Sequence, residues 1–302
     1  MAYSVYAPLL LSILLAALSR PLARIISPRT LAPALVIAAG LTAAASTWGL
    51  ILLAATMLHE APPVAEQAAG HGLISAEPVP GLVAAAAAAA LAVGVYRLVE
   101  ARRRNRSTHR SLWALCDATS AQELVVISAP EPQAIALPGR RGQRGRVLVT
   151  SGMLSVLDDA ERSVLLAHER AHLRERHSRQ RAIVESAAAL NPLLRRTRDT
   201  VAFLLERCAD EAAADAVGSR PLAARSLAKA ALATSAHQRG QALAFHRLAV
   251  TTRVAALRVA PPPHRNLPIA VVVLIGVATT VAAADATGAF IGLVQQLLPG
   301  RV

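Results

Sequence analysis

Two histidines and a glutamate in the stretch LLAHERAHLRERH, residues 165–177, have the types and the spacing of a metal site. An α-helix turns about 100° per residue, so His168 and His172 project from the same face, one turn apart. Imidazoles at this spacing can reach one metal ion, and Glu169 lies beside them, where it can act as a base without being a ligand. The pattern therefore predicts a catalytic Zn²⁺ site.

A third protein ligand is predicted in the stretch LERCADEAAAD, residues 205–215. Glu206 and Asp210 are again four residues apart and share one helix face. Glu206 can complete a His-His-Glu set that leaves the fourth position of zinc open, as catalytic sites do. Asp210 is placed to accept the N–H of one ligand imidazole and so to fix its tautomer. Glu211 and Asp215 are alternative carboxylates whose spacing fits less well.

Two other side chains near these motifs are not predicted to bind the metal. His177 is five residues past His172, about 140° round a continuous helix, so we expect it to be exposed. Cys208 is about 200° round the helix from Glu206, so we expect a buried structural thiol. Cys116 is the only other cysteine, and no disulfide framework is indicated.

The elements that must position these residues follow from local signals. Three aliphatic segments predict short strands, at residues 123–129, 133–137 and 146–150. The Gly- and Arg-rich turn PGRRGQRG joins the last two, which indicates a hairpin. Asp158 followed by Glu161 is a capping box, so a helix should run from there through His177 and beyond. A second helix should cover roughly 193–217 and end at Gly218.

The predicted hairpin also offers a place for a peptide substrate. An extended peptide can add a strand to the exposed edge of a sheet. We expect Ala134, Ile135 and Ala136, or else the strand at 146–150, to pair with the substrate backbone in this way.

The composition indicates a membrane protein with one charged domain. The chain is 54% hydrophobic but only 3% aromatic, which is ordinary for a membrane protein and unusual for a soluble domain. The net charge of +13 lies entirely within residues 97–265. We interpret this segment as a cytoplasmic domain lying against anionic lipid of the bilayer. We expect no direct binding of nucleic acid, because no aromatic-rich or zinc-finger pattern accompanies the charge.

Four apolar stretches predict transmembrane helices, at about 2–18, 31–58, 82–99 and 267–284. The first is interpreted as an uncleaved span, since no basic residue precedes it and arginines follow it. The loop 59–80 contains no Lys or Arg, which places it outside the cell. The predicted order is three spans in residues 1–99, a cytoplasmic domain at 100–266, and a fourth span with a short external tail at 267–302.

Several stretches together resemble the membrane metallopeptidases of the BlaR/MecR type, peptidase family fifty-six. They are QAIALPG, RVLVTSGMLSVLDDAE, VLLAHERAHLRERH, NPLL, ERCADEAAAD and TRVAALRVAPPP. The resemblance implies an α-helical membrane protein with a cytoplasmic α+β zincin-like (gluzincin) domain. It implies His168, His172 and Glu206 as zinc ligands and Glu169 as the catalytic base. It also implies that the substrate is a protein, a cytoplasmic winged-helix repressor. Only residues 285–302 follow the last span, so a penicillin-sensing domain there is not expected.

Two alternatives remain open. The HtpX-like and prenyl-protease group shares both motifs, and membership would indicate a membrane quality-control protease. Its HtpX-like members have further spans between the motifs, whereas residues 173–205 contain no clean span, which favours the BlaR/MecR type. The other alternative is a membrane scaffold with a structural zinc ion, and an intact Glu169 argues against it because a structural site needs no base. We expect a multi-pass protein of a bacterial plasma membrane.

Overall fold

The fold is described from a computed structural model, for residues 4–56, 81–119, 122–140, 142–237, 242–259 and 266–297. The helices of these ranges are α1 (Ala7–Ile25), α2 (Pro28–Ala55), α3 (Gly81–Thr119), α4 (Ser151–Val156), α5 (Asp159–Arg174), α6 (His177–Leu190), α7 (Arg195–Val217), α8 (Arg220–His237), α9 (Ala242–Leu257) and α10 (Asn266–Leu297). The strands are β1 (Leu124–Ile127), β2 (Ala134–Leu137) and β3 (Arg146–Thr150). The predicted loop 59–80 lies outside the described residues.

Helices α1, α2, α3 and α10 contain segments long and apolar enough to cross a membrane. The segments are Ala7–Ile25, Pro28–Ala55, Gly81–Ala118 and Ile269–Gly292. They overlap the four predicted spans, but the helices extend further than those spans. Helix α1 continues through Arg20 and Arg24, α3 continues to Thr119, and α10 continues to Leu297. Charged residues mark where a chain leaves a hydrocarbon layer, but they leave the backbone hydrogen bonds of a helix intact, so they do not end it.

The three strands form one sheet in the order β1-β3-β2. Strand β3 lies in the centre, parallel to β1 and antiparallel to β2, so the predicted hairpin is confirmed. All five residues of β3 are buried, as expected for a central strand rich in valine. Within the described residues β2 has a partner on one side only, and it is therefore an edge strand.

Local signals set the ends of the two helices that carry the motifs. The Asp158 carboxylate accepts a hydrogen bond from the backbone N–H of Glu161 at 2.8 Å, and the Glu161 carboxylate accepts one from the N–H of Asp158 at 3.0 Å. This is the predicted capping box at the start of α5. Gly218 adopts φ 65° and ends α7, also as predicted.

The helix that carries the histidines is broken where the sequence predicts continuity. Helix α5 ends at Arg174, Arg176 adopts the left-handed conformation with φ 54° and ψ 40°, and α6 begins at His177. This conformation is uncommon for a residue other than glycine, and no Gly or Pro in the sequence signals it. The break changes the direction of the chain, and the His177 ring is buried, with 3% of it exposed. The prediction that His177 is exposed is therefore wrong.

Helix α6, between the motifs, and helix α7, which carries the second motif, pack against the candidate spans α1 and α2. One continuous apolar core contains residues of all four helices, among them Leu15, Leu35, Val184 and Leu204. The turn between α6 and α7 is held in the same region, because the side-chain amide of Asn191 donates to the hydroxyls of Ser12 at 2.8 Å and Ser46 at 3.0 Å. A buried amide is costly unless it is hydrogen-bonded. Helix α7, which carries Glu206, and helix α6 therefore share their core with the candidate spans.

Candidate active site

Three side chains from two helices converge on one point. The Nε2 atoms of His168 and His172 lie 3.1 Å apart on one face of α5. Helix α7 brings Glu206 to the same place, with one carboxylate oxygen 3.6 Å from His168 Nε2 and the other 3.7 Å from His172 Nε2. The structure thus brings together the three residues that the sequence predicts as metal ligands.

This donor set fits zinc. Zinc binds histidine nitrogen and carboxylate oxygen at about 2.0–2.2 Å in a tetrahedral arrangement, so its ligand atoms lie roughly 3.3–3.6 Å from one another. The three separations between 3.1 and 3.7 Å agree with this spacing. Three protein ligands leave one position free for a reacting group, as in catalytic sites.

Asp210 and Arg253 lie behind the ligands. His168 Nδ1 is 3.1 Å from Asp210, so the ring can donate to that carboxylate and keep Nε2 free for a metal. Arg253, from α9, donates to both oxygens of Asp210 at 2.7 Å each, and it is 3.1 Å from Glu206. Asp210 thus lies where the sequence predicts it. Arg253 was not predicted, although an arginine within an apolar helical stretch must find an acidic partner if it is buried.

The protonation of each of these side chains depends on the charges of the others. Burial opposes protonation of His168, but its hydrogen bonds to Asp210 and Glu206 outweigh this and raise its pKa to about 10. Burial lowers the pKa of His172 to about 4. Burial also opposes ionisation of Glu206, but the hydrogen bond from His168 and the charge of Arg253 outweigh it and lower the pKa of that carboxyl. Without a metal the site therefore holds a proton on His168, which a metal ion must displace.

Glu169 lies beside the ligands and is buried, with 8% of it exposed. Burial raises the pKa of its carboxyl, while the nearby charge of His168 opposes the shift. The backbone N–H of Ala136 forms a hydrogen bond to the same carboxylate. A carboxylate whose pKa is raised holds a proton more readily and is suited to accept and return one during a reaction.

Strand β2 presents its free edge to the site. Thr150 donates its backbone N–H to the carbonyl of Gln133, and backbone groups along an antiparallel strand point alternately toward and away from the partner. The N–H and C=O groups of Ala134 and Ala136 therefore point away from β3, which agrees with the bond from Ala136 to Glu169. Of the two strands that the sequence offers for substrate pairing, β2 has the free edge and β3 does not.

Cavities open on both sides of the ligand cluster. One of about 250 Å³ is lined by Glu169, Glu206 and apolar side chains that include Met153, Leu165 and Leu227. The other, of about 300 Å³, is lined by His172, Glu206, Ser178 and Arg181 among others. Ala134 and Ile135 border both cavities, and Ala136 borders the second. An extended chain lying along β2 would thus have space on either side of the ligands.

The other candidate residues of α7 are engaged elsewhere. Glu211 forms a salt bridge with Arg220, and Asp215 forms one with Arg29 at 2.8 Å. Cys208 is buried, with 2% exposed, as predicted, and burial raises the pKa of its thiol to about 12. The structure therefore leaves Glu206 as the α7 carboxylate next to the two histidines.

Comparison with known proteins agrees with this arrangement. The model of peptidase family M48 matches residues 99–264, more than half of the chain. Two proteins named Protease HtpX homolog, from the strains Twist and TW08/27 of Tropheryma whipplei, are each 32% identical to it over 90 residues. This region is 28% of the chain and 31% of each relative, so the chain covers less than a third of the relatives' length. No solved structure matches. These findings favour the HtpX-like alternative and give no support to the BlaR/MecR type.

Proposed function

This chain belongs to peptidase family M48, and from that premise we propose that it is an integral membrane zinc endopeptidase of the HtpX-like kind. The observation that carries the proposal is the convergence of His168, His172 and Glu206 next to a buried Glu169. A scaffold with a structural zinc ion would need no carboxylate in that position and no free fourth position on the metal.

The proposed mechanism assigns one role to each residue. His168, His172 and Glu206 would hold a zinc ion, which would supply Lewis-acid chemistry by acidifying water and polarising the scissile carbonyl. Glu169 takes a proton from the attacking water and delivers it to the leaving amine. Asp210 holds the His168 ring with Nε2 toward the metal, and Arg253 keeps Asp210 ionised by its paired hydrogen bonds.

The proposed substrate is an extended segment of a protein. We assign its backbone to the free edge of β2, where Ala134 offers an N–H and a C=O group and Ile135 borders both cavities. Space on both sides of the ligands supports cleavage within a chain and not only at its end. By the same reasoning we propose a zincin-like (gluzincin) arrangement for the domain, in which an edge strand runs beside the helix that carries the histidines.

The proposed location is a plasma membrane, with the catalytic domain on the cytoplasmic side. The arginines that follow the first and third apolar segments support this orientation. A housekeeping role in the cleavage of membrane or cytoplasmic proteins is proposed in place of the repressor cleavage that the BlaR/MecR resemblance implied. The basic domain is proposed to lie against anionic lipid.

The test is the substitution Glu169→Gln in the purified full-length chain. It keeps the size of the side chain and the metal ligands but removes the base, so we expect about one zinc ion per chain and almost no cleavage of an unfolded protein substrate. Glu100→Gln is the matched control, because Glu100 pairs with Arg104 on the surface of α3 and lines neither cavity beside the ligands, and it should cleave like the wild type. Substantial cleavage by Glu169→Gln would show that the mechanism is wrong.

A comparison of cells that express the wild type and Glu169→Gln tests the substrate class. Mass spectrometry should find several membrane or cytoplasmic proteins cut only in the presence of the wild type. Cleavage confined to one DNA-binding repressor would instead restore the signalling function. Bound zinc with no cleavage of any protein by the wild type would favour the structural-zinc scaffold.

A further inference from the structure

A second histidine contact lies behind the ligand His172. The break after α5 turns the buried ring of His177 back toward the site, with its Nδ1 2.9 Å from the Nδ1 of His172. The opposite nitrogen of His177, Nε2, is 3.2 Å from the carboxylate of Glu175. Three side chains thus form one line of hydrogen bonds that ends at a proposed metal ligand.

The chemistry of imidazole fixes the direction of this line. A neutral ring carries one proton, on either Nδ1 or Nε2. If His172 binds a metal through Nε2, its proton is on Nδ1, and it must donate to Nδ1 of His177. His177 then carries its own proton on Nε2 and donates it to Glu175. One arrangement of protons therefore satisfies every contact.

We propose that His177, supported by Glu175, is a positioning residue that holds His172 in the orientation and tautomer needed to bind the metal. This inference rests on the proposed zinc site. It gives His172 a counterpart to the Asp210 contact that holds His168. Ligand histidines generally have such a partner, because a ring that rotates freely or carries its proton on Nε2 must first turn or change tautomer, which weakens metal binding.

The same residues have a second interpretation, as part of a separate metal site. Ligand atoms of Glu175, His177 and Cys208 all lie within 4.8 Å of one another. His177 could join such a site only through Nε2, since its Nδ1 faces His172. Binding there would place the His177 proton on Nδ1 and force the His172 proton onto Nε2, where it blocks the first site. The hydrogen bonds therefore favour the positioning role.

The test replaces His177 in the full-length chain by three residues that separate hydrogen bonding from packing. Asn places an amide oxygen close to the position of Nδ1 and keeps an acceptor for His172. Leu has the same branched shape as Asn but no acceptor, and Phe keeps a ring without an acceptor. Cys208→Ser is the control for a separate metal site, because Cys208 takes no part in the proposed line of hydrogen bonds.

Two measurements are made on the detergent-solubilised protein: zinc affinity by competition with a chelator, and visible absorption of the cobalt-substituted form. We expect His177→Leu and His177→Phe to bind zinc roughly 10–100-fold more weakly than the wild type, as is typical when a partner of a ligand is lost. Their cobalt bands should shift, because His172 is no longer held. His177→Asn should recover most of the affinity and the wild-type bands, and Cys208→Ser should match the wild type.

The opposite order overturns the proposal. If the ring served only to fill space, Phe would come closer to the wild type than Asn. If Cys208→Ser weakens zinc binding as much as His177→Leu, or removes a second bound zinc ion, the separate metal site replaces the positioning role. Wild-type affinity in His177→Leu refutes the positioning role alone, whereas a wild type that binds no zinc refutes the proposed function as well.

Discussion

Replacing Arg253 by Met should destabilise the folded protein more than the same replacement of an exposed arginine. The guanidinium of Arg253 is 11% exposed and its partner Asp210 is 4% exposed, and two hydrogen bonds of 2.7 Å join them. Without Arg253, the carboxylates of Asp210 and Glu206 share only the positive charge of protonated His168. One carboxylate is then left uncompensated, and loss of one partner from a buried charged group typically costs about 3–5 kcal/mol. This is a large part of a total stability of roughly 5–15 kcal/mol.

The assay is thermal unfolding of the full-length chain in detergent with a chelator present, so that bound metal does not contribute to stability. With a shift of about 2–4 °C per kcal/mol, Arg253→Met should lower the midpoint by roughly 6–20 °C. The matched control is Arg104→Met. Arg104 is 79% exposed in its pair with Glu100, and a surface pair of this kind contributes less than about 1 kcal/mol.

A double substitution isolates the cause. Asp210→Asn in the Arg253→Met background removes the uncompensated charge, so the double variant should lose less stability than the sum of the two single changes. Equal shifts for Arg253→Met and Arg104→Met would refute the reasoning, because burial would then not determine the cost. Strict additivity of the two site substitutions would do the same.

Three further predictions concern the metal and the membrane. Glu206→Ala should lose most bound zinc, whereas Asp210→Ala should weaken binding only about 10–100-fold; if Asp210 is the stronger determinant of zinc content, the two roles must be exchanged. Zinc should displace the proton of His168, whose pKa is raised to about 10. Zinc affinity should therefore fall about tenfold for each unit by which the pH is lowered between 9 and 7. Calorimetry in buffers of different ionisation enthalpy measures the released proton, and no release at pH 8 would contradict this prediction. With both native cysteines replaced, a cysteine at Ser75 should be labelled from outside the cell and one at Thr108 only after permeabilisation; labelling of both from the same side would overturn the proposed topology.

The spacing between the two motifs did not distinguish the candidate families. Residues 173–205 contain no clean span by hydropathy, which favoured the BlaR/MecR type. The structure shows that this segment contains helix α6 and the first half of α7, which pack against the candidate spans α1 and α2. These two helices bury one face against the candidate spans and carry charged residues on the other face, so their mean hydropathy is low and does not separate the two families. The match to family M48 then favours the HtpX-like group.

The sequence alone determined those features that depend on neighbours within one element. Helical geometry places His168 and His172 on one face whatever the rest of the chain does, and the same geometry pairs Glu206 with Asp210. The capping box of α5 and the glycine that ends α7 are also local, because their hydrogen bonds and backbone angles involve residues a few positions apart.

The tertiary structure alone decided which groups meet across elements. Nothing local to α7 tells which histidine Asp210 contacts, and nothing local to α9 tells that Arg253 lies against Asp210. The position of His177 depended on the left-handed conformation of Arg176, which no glycine or proline announces. The free edge of β2 followed from the order of strands in the sheet. Such contacts join residues far apart in the chain, and their partners are chosen by how the helices and strands pack, which the spacing of residues within one element does not encode.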